Sequence, residues 1–171
     1  GEPMLDEIAA AFGPEMIDAS GALDRAAVAA IVFRDEQARI RLGEIVHPPV
    51  VAEMMRRSKA AADAEAPVVV VDIPLLFEGA KAGRGAASVM SFDATVAVWV
   101  PAEVQIERTV SRDGCDRDEA KRRVDAQLPI DEKREMADYV IDNSGPAEAT
   151  ERQVRALFDA LTHRDSEAEK D

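Results

Sequence analysis

Cysteine and histidine are nearly absent from this 171-residue sequence. Cys115 is the only cysteine, so no disulfide can form within the chain and no cysteine-based metal site can be assembled. The two histidines, His47 and His163, are far apart and lack the spacing of a metal-binding helix. We therefore expect no structural zinc and no other metal ligands, and a reducing, cytoplasmic environment.

Long apolar runs are also missing. No segment approaches the ~18 consecutive apolar residues of a membrane span. The first residues, GEPMLDEIAAAFG, lack the basic and apolar regions of a signal peptide. The sequence predicts a soluble protein that has no membrane partner and is not exported.

Basic residues are the minority among the charged ones. The 34 acidic residues outnumber the 21 basic ones, and the formal net charge is -13. This charge opposes attraction to phosphate backbones, so we expect no nucleic-acid partner. It does not exclude a small anionic ligand, because a local cluster of arginines binds phosphate within an acidic protein.

The apolar pattern predicts a single α/β domain over 1–163. Helical spacing covers 5–12, 26–33, 35–46 and 50–64, and the prolines after His47 are expected to break or bend the chain between the last two. Continuous β-branched runs predict buried strands at 68–72, 94–100 and 139–142. Helices at 101–112, 116–126, 130–136 and 146–162 separate or follow them, which favours a parallel sheet with flanking helices. The small residues of 79–88 suggest a mobile loop, and the charged tail 164–171 suggests disorder.

Candidate site residues follow the predicted strands, since ligands of open α/β sheets bind at the carboxyl ends of strands. An apolar Pro74-Leu75-Leu76 step and the acid Glu78 follow the first strand. They are either a buried strand end with one solvated carboxylate or the wall of a substrate site. Asp142-Asn143-Ser144-Gly145 follows the last strand and is either a simple turn or a loop that contacts a base through its amide.

Arginines cluster in the segment after the second predicted strand. Arg108 and Arg112 are four residues apart and therefore share a helix face, where two guanidinium groups can grip a polyphosphate. The alternative is a solvated helix with internal ion pairs, which the interleaved acids favour. His47 is either a helix-capping histidine or a general base, and the sequence does not separate these two roles.

Taken in order, these segments resemble successive blocks of the dephospho-coenzyme A kinase family. The resemblance runs from about Leu5 to Leu161 and rests on seven blocks: ALDRAAVAAIVF (22–33), IVHP (45–48), VVVVDIPLLFE (68–78), Arg108 with RDG (112–114), Gln127, Lys133 and ADYVIDNSG (137–145). It implies a P-loop kinase fold and transfer of the γ-phosphoryl group of ATP, with Mg²⁺, to the ribose 3′-hydroxyl of dephospho-coenzyme A.

The resemblance also implies roles for individual residues. Arg112 and Arg108 correspond to the catalytic lid over the phosphates, within about 108–136. The acceptor side, within helices at about 22–64 and the PLLFE block, would comprise Arg25, His47, Pro74, Leu75, Leu76 and Glu78. Asn143, Ser144 and Gly145 correspond to the loop around adenine. The oligomeric state does not follow from the sequence.

The family's opening GxxxxGK(S/T) loop is not among these 171 residues. The resemblance implies that the main phosphate and metal ligands lie in a preceding segment of roughly 40 residues, the size of a strand, loop, helix and further strand. Its first strand would lie between 68–72 and 94–100, which should therefore not be hydrogen-bonded neighbours. We expect these residues alone to be inactive. The alternatives are a non-catalytic coenzyme A- or nucleotide-binding module and an acidic interaction domain.

Overall fold

The computed structural model describes residues 3–32 and 34–168, with 164–168 described by their backbone only. The chain forms two compact units, Gly1–Ala64 and Glu65–Asp171. A single domain over 1–163 stays a prediction. No helix within the described ranges is long and apolar enough to cross a bilayer.

The first unit is helical. Its helices are α1 (Pro3–Phe12), α2 (Arg25–Val32) and α3 (Glu36–Asp63), with a short 3₁₀ turn at Pro14–Met16. Ile8, Met16 and Val28 form its buried core, and partly buried apolar side chains of α3 pack against them. This core confirms the helical spacing found for 5–12. Phe33, the last residue of the predicted helix 26–33, lies outside the described residues.

Aspartates begin two of these helices. The Asp24 carboxylate accepts hydrogen bonds from the backbone N–H groups of Ala26 and Ala27, at 3.0 and 2.9 Å. Asp35 does the same for Gln37 and Ala38. Each carboxylate satisfies amide groups that have no partner within the helix, which fixes where α2 and α3 begin.

The predicted break after His47 is wrong. Pro48 and Pro49 lie inside the continuous 28-residue helix α3, which replaces the two predicted helices at 35–46 and 50–64. Each proline removes one backbone donor, but the donors on both sides still bond in register. The loss of two hydrogen bonds therefore does not end so long a helix.

The second unit contains the sheet. Its elements are α4 (Leu76–Lys81), β1 (Val96–Trp99), α5 (Ala102–Asp113), α6 (Arg117–Asp125), α7 (Ile130–Met136), β2 (Tyr139–Asp142) and α8 (Ala147–Ala168). The two strands pair in parallel, with Val96 opposite Tyr139 and Trp99 opposite Asp142. This confirms the predicted α/β class, the strands near 94–100 and at 139–142, and the helices between them.

The strand predicted at 68–72 is wrong. These residues carry no strand structure, and Val70 is 86% exposed. An extended segment becomes a strand only where a neighbour completes its hydrogen bonds, and none of the described residues does so here. The sheet of the described residues contains β1 and β2 alone. Because 68–72 is not a strand, the strand order predicted around it is not tested and stays a prediction.

The segment 79–88 is more ordered than the sequence suggested. Residues 79–81 complete α4, and Ala86–Ser88 form a 3₁₀ turn. The Arg84 N–H donates to the Gly79 carbonyl at 2.9 Å, and a methyl group on Gly79 would lie 2.8 Å from the Arg84 carbonyl oxygen. Glycine therefore permits this close backbone approach.

The C-terminal helix extends into the stretch that the sequence analysis assigned to a disordered tail. The backbone of α8 is helical through Ala168, so residues 164–168 belong to this helix. Residues 169–171 of the predicted tail lie outside the described range.

Candidate functional site

The carboxyl ends of β1 and β2 lie side by side. Trp99 is opposite Asp142, and the Asn143 N–H donates to the Trp99 carbonyl at 2.8 Å. The loop Asn143-Ser144-Gly145 therefore leaves the sheet at the edge where α/β proteins bind ligands.

Hydrogen bonds fix the start of this loop. One Asp142 carboxylate oxygen accepts from the Ser144 hydroxyl and N–H at 2.6 and 2.8 Å. The Ser144 hydroxyl and then its N–H hold the pKa of Asp142 below its ordinary value, because both favour the charged carboxylate. Thr150 donates its hydroxyl to the Asn143 side-chain oxygen at 3.0 Å. Hydrogen bonds within the chain thus organise this loop.

Gln153 of α8 completes the backbone hydrogen bonds of Asp142. Its side-chain oxygen accepts from the Asp142 N–H at 2.9 Å, and its side-chain nitrogen donates to the Asp142 carbonyl at 2.8 Å. One amide side chain therefore stands in for a neighbouring strand at the end of β2. It also ties the loop to α8.

Arg108 joins α5 to the same loop. Its Nη2 donates to the Asn143 carbonyl at 2.9 Å, across 35 residues of sequence. Two of the predicted site residues, one from the arginine cluster and one from the loop, are therefore in direct contact. A guanidinium group held here adds positive charge beside the sheet edge.

Arg112 lies one helical turn further along α5 and points elsewhere. Its side chain is 75% exposed and forms a two-point pair with Asp113, with Nε to Oδ1 at 2.6 Å and Nη2 to Oδ2 at 3.0 Å. Its hydrogen bond holds the pKa of Asp113 below the ordinary value. Gly114 then ends α5 in the left-handed region, at φ 65°, a conformation that glycine adopts without strain.

The remaining cations of this region pair with acids on exposed surfaces. Glu119 binds both Arg122 and Arg123, Lys121 binds Asp125, and Arg117 binds Glu103. This is the ion-pair pattern that the interleaved charges indicated. These side chains therefore have structural partners already, and we assign them no ligand.

The Pro74–Leu76 step forms a turn that leads into α4. Leu75 is 54% exposed, so its apolar side chain is available to a ligand. Leu76 donates its N–H to the Ile73 carbonyl at 3.2 Å, which closes the turn. The turn thus presents an apolar surface at the start of a short helix.

Glu78 faces the interior instead. Its Oε1 is 2.7 Å from Lys133 Nζ and accepts the Leu128 N–H at 2.9 Å, while its Oε2 is buried with no hydrogen-bond partner among the described residues. Burial raises the pKa of Glu78, but the hydrogen bond from Lys133 and the backbone N–H groups outweigh it. The pKa therefore lies below its ordinary value.

Arg25 and His47 belong to the first unit. Arg25 is the exposed first residue of α2, and His47 is exposed in the middle of α3. The imidazole lies over Gly43, where a methyl group would be 3.1 Å from its Cε1. A cleft of about 340 Å³ between α1 and α3 is lined by Arg41 and Glu44 and includes neither predicted residue.

The described residues contain no group of three or more His, Cys, Asp or Glu side chains that could hold a metal ion. We therefore assign no metal ligand to them. The acids nearest the site are engaged with hydroxyl, amide, lysine or arginine partners instead.

Sequence reasoning did not assign roles to several residues that shape this region. Gln153, Thr150 and the inward side of α7 are the main ones. Lys133 carried a readable signal: it shares a face of α7 with Ile130, three residues earlier, and a lysine on an apolar face requires an acid partner. The identity of that partner, Glu78, is a long-range contact that helical spacing does not reveal.

Comparison with known proteins gives the family. The family model described as dephospho-CoA kinase (CoaE) matches residues 1–149. The chain belongs to the dephospho-CoA kinase family. Curated relatives include the dephospho-CoA kinases of Syntrophotalea carbinolica, 46% identical over 161 residues, and Bacillus licheniformis, 40% identical over 163 residues. These alignments cover 94% and 95% of this chain and 73% and 78% of those enzymes.

Solved structures agree with this assignment. TT1252 from Thermus thermophilus is 34% identical with a TM-score of 0.66, over 92% of this chain and 82% of that one. The dephospho-CoA kinase from Campylobacter jejuni has a TM-score of 0.62, over 95% of this chain and 78% of that one. At 23% identity the second likeness supports the fold alone. The resemblance drawn from the seven sequence blocks is therefore confirmed.

Proposed function

We propose that the protein is a cytoplasmic dephospho-coenzyme A kinase that carries out the last step of coenzyme A synthesis. The ribose 3′-oxygen of dephospho-coenzyme A attacks the γ-phosphorus of ATP, the bond to the β,γ-bridging oxygen breaks, and ADP leaves while the hydroxyl proton is released. Membership of the family carries this proposal. The contact between Arg108 and the Asn143 carbonyl supports it, because it unites a lid residue and the base loop at the sheet edge.

The loop Asn143-Ser144-Gly145 is proposed to hold the adenine of ATP. Thr150 holds the Asn143 side chain, Asp142 holds the Ser144 N–H, and Gln153 holds the backbone of Asp142 just before the loop. This preorganisation lowers the entropic cost of binding. Arg108 supports the same loop from α5. Adenine recognition by this loop therefore requires little rearrangement.

Arg112 is proposed as the lid residue that reaches the transferring phosphoryl group. Its side chain is 75% exposed, and Asp113 also binds Arg123, so Asp113 keeps a cationic partner when Arg112 turns to a phosphate. A planar guanidinium can bind two phosphoryl oxygens and stabilise the charge that develops on them.

Pro74, Leu75 and Leu76 are proposed to form an acceptor wall in the second unit. Arg25 and His47 of the first unit stay predicted acceptor residues. The exposed Leu75 side chain suits an apolar part of the acceptor, and Arg25 suits a phosphate. Glu78 belongs to the same segment but is less suited to direct contact, since its Oε1 is already bonded.

Mg-ATP is proposed as the phosphoryl donor. The metal supplies charge neutralisation of the phosphates when it is bound. The described residues offer no set of ligands for it, so no step is assigned to it here.

Acceptor-dependent ADP release by the full-length protein tests the activity. ADP should form from Mg-ATP when dephospho-coenzyme A is present. Coenzyme A is the matched control because its 3′-position is already phosphorylated, and it should support no ADP release. Equal ADP release with both compounds, or none with either, would contradict the proposal.

A further inference from the structure

Two ion pairs join α4 to α7, and they differ in burial. Glu78 pairs with Lys133, and their side chains are only 23% and 11% exposed. Lys81 pairs with Glu132, and these side chains are 52% and 46% exposed. The first pair also includes the Leu128 N–H, which donates to the same Glu78 oxygen, and Gln127, whose side-chain oxygen is 3.4 Å from Lys133 Nζ. We call Glu78, Lys133, Gln127 and the Leu128 N–H the buried clasp because its ion pair is mostly buried, although Gln127 itself is exposed.

The buried clasp lies between two functional segments. Glu78 is two residues after Leu76, so it anchors the first turn of the helix that carries the proposed acceptor wall. Gln127 and Leu128 lie between α6 and α7, and α7 leads into β2 and the loop at Asn143. Contacts within the clasp therefore fix the acceptor wall relative to the last part of the predicted lid, about 108–136.

The positive charge of Lys133 and the negative charge of Glu78 stabilise each other. A nearly buried ammonium group is stable only when a carboxylate and hydrogen bonds replace its water, and removal of one partner leaves an uncompensated charge. Glu78 supplies that carboxylate through Oε1, and its Oε2 is also buried. A carboxylate held in this way has no free Oε1 for a substrate, so its effect on the acceptor must be indirect.

We propose that Lys133 and Glu78 are positioning residues for the acceptor, which they serve by holding the Pro74–Leu76 turn in place through the buried clasp. This inference rests on the proposed function. Lys133 touches neither substrate, and Glu78 acts through the backbone of α4. Loss of the clasp shifts the acceptor wall while the adenine loop, held by Arg108 and Gln153, keeps its own contacts.

Steady-state kinetics of full-length Lys133→Met test the inference. The KM for dephospho-coenzyme A should rise by about tenfold or more, because small displacements of positioning groups have large effects, while the KM for ATP changes less than about twofold. Lys133→Arg keeps the positive charge and should recover part of the loss. Lys81→Met is the matched control: it breaks the exposed pair between the same helices and should leave both KM values near wild type.

Trp99 reports whether the variants keep their packing. It is the only tryptophan, its indole N–H donates to Asp131 at 2.8 Å, and the Arg134 guanidinium lies 5.2 Å from its ring centroid. Asp131 and Arg134 are both in α7, so wild-type Trp99 fluorescence shows that α7 is still in place. If Lys133→Met does not fold, the nearly isosteric Glu78→Gln provides the same comparison, and the same rise in the acceptor KM is expected.

The outcomes separate the two proposals. A KM for dephospho-coenzyme A that matches the Lys81→Met control would overturn the positioning role. A lower kcat together with a rise of similar size in both KM values, and altered Trp99 fluorescence, would also overturn it. Such a result would show that the ion pair only stabilises the fold. Absence of acceptor-dependent ADP release by the wild-type protein would instead contradict the proposed function.

Discussion

Arg108 and Arg112 share a face of α5, but only Arg108 donates a hydrogen bond to a backbone carbonyl. Arg108 binds the Asn143 carbonyl, whereas Arg112 binds its own neighbour Asp113 on an exposed surface. A residue that supports a loop must stay in place, and a residue that meets a phosphoryl group during closure must be able to move. The contacts therefore favour Arg112 as the mobile lid residue and Arg108 as a support of the loop.

Substitution of Arg112 tests this distinction. In the full-length protein, Arg112→Ala should lower kcat steeply, with about 10³–10⁵-fold as the upper range set by arginine fingers, and should change ATP affinity much less. Arg112→Lys should recover only part of kcat, because an ammonium group lacks the two-point geometry. Arg122→Ala is the control, since Arg122 pairs with Glu119 within α6. A near-normal kcat for Arg112→Ala would show that Arg112 is only a solvated charge on its helix. Arg108 would then be the remaining candidate for the lid residue.

Glu78 gives stability a dependence on pH. Its ordinary pKa is 4.5, and in the folded protein the pKa is lower because Lys133 and backbone N–H groups outweigh the effect of burial. The unfolded chain therefore binds the proton more readily, and acidification favours unfolding. The ionised Glu78 therefore contributes fully to the free energy of unfolding above the pKa that this carboxyl has in the unfolded chain. This contribution is lost as the pH falls through its pKa in the folded protein.

Urea unfolding at about pH 6 and about pH 3.5 measures this effect. The free energy of unfolding of the wild type should fall more on acidification than that of Glu78→Gln, in which this carboxyl is absent. Glu132→Gln removes the acid of the exposed pair between the same two helices and should behave like the wild type. An equal pH dependence for wild type and Glu78→Gln would contradict the role given to the Glu78–Lys133 pair.

At the scale of elements, local pattern predicted most of the second unit. The apolar run near β1 and the short run at β2 both pair as strands, and the helices α5 to α8 lie close to the predicted ranges. The segment 68–72 has an equally apolar pattern but is not a strand, because strand formation depends on a partner that local pattern does not report.

The site was predictable only in part for the same reason. Asn143, Ser144 and Gly145 follow a strand, so their position at the sheet edge followed from topology. The contacts of Arg108 with Asn143 and of Glu78 with Lys133 join residues 35 and 55 positions apart, and helical periodicity does not specify such pairs. The acceptor-side role of Glu78 rests on the resemblance and stays a prediction, and its Oε1 binds Lys133.

The prolines of α3 offer a test at the same scale. Pro48 lies inside the helix and leaves the Glu44 carbonyl without its helical donor. Pro48→Ala should restore that bond and raise the free energy of unfolding by about 1–3 kcal/mol. Pro101→Ala is the control, because Pro101 is the N-cap of α5, where no helical bond is lost. Thermal or urea unfolding measures both variants, and no gain for Pro48→Ala would show that α3 has adapted to its prolines.

At the scale of the whole molecule, the strongly acidic composition limits how far the overall charge can attract phosphate groups. The net charge is -13, and most arginines of α5 and α6 are neutralised by neighbouring acids. Affinity for nucleotides must therefore come from local geometry and not from the overall field.

The 171 residues contain no GxxxxGK(S/T) sequence. This loop cradles the β- and γ-phosphates in P-loop kinases. We therefore expect the isolated 171-residue chain to show no acceptor-dependent ADP release, whereas a form of the protein that also carries such a loop is active. Side-by-side assays of the two forms measure this, and comparable turnover by the isolated chain would show that these residues bind the phosphates by other means.

The identity of the phosphorylated product tests the central claim most directly. The full-length protein is incubated with Mg-ATP and dephospho-coenzyme A, and the product is analysed by mass and by ³¹P NMR. The account predicts one added phosphoryl group, located on the ribose 3′-oxygen, and one ADP formed for each coenzyme A. Phosphate at another position, or release of inorganic phosphate with dephospho-coenzyme A unchanged, would contradict it.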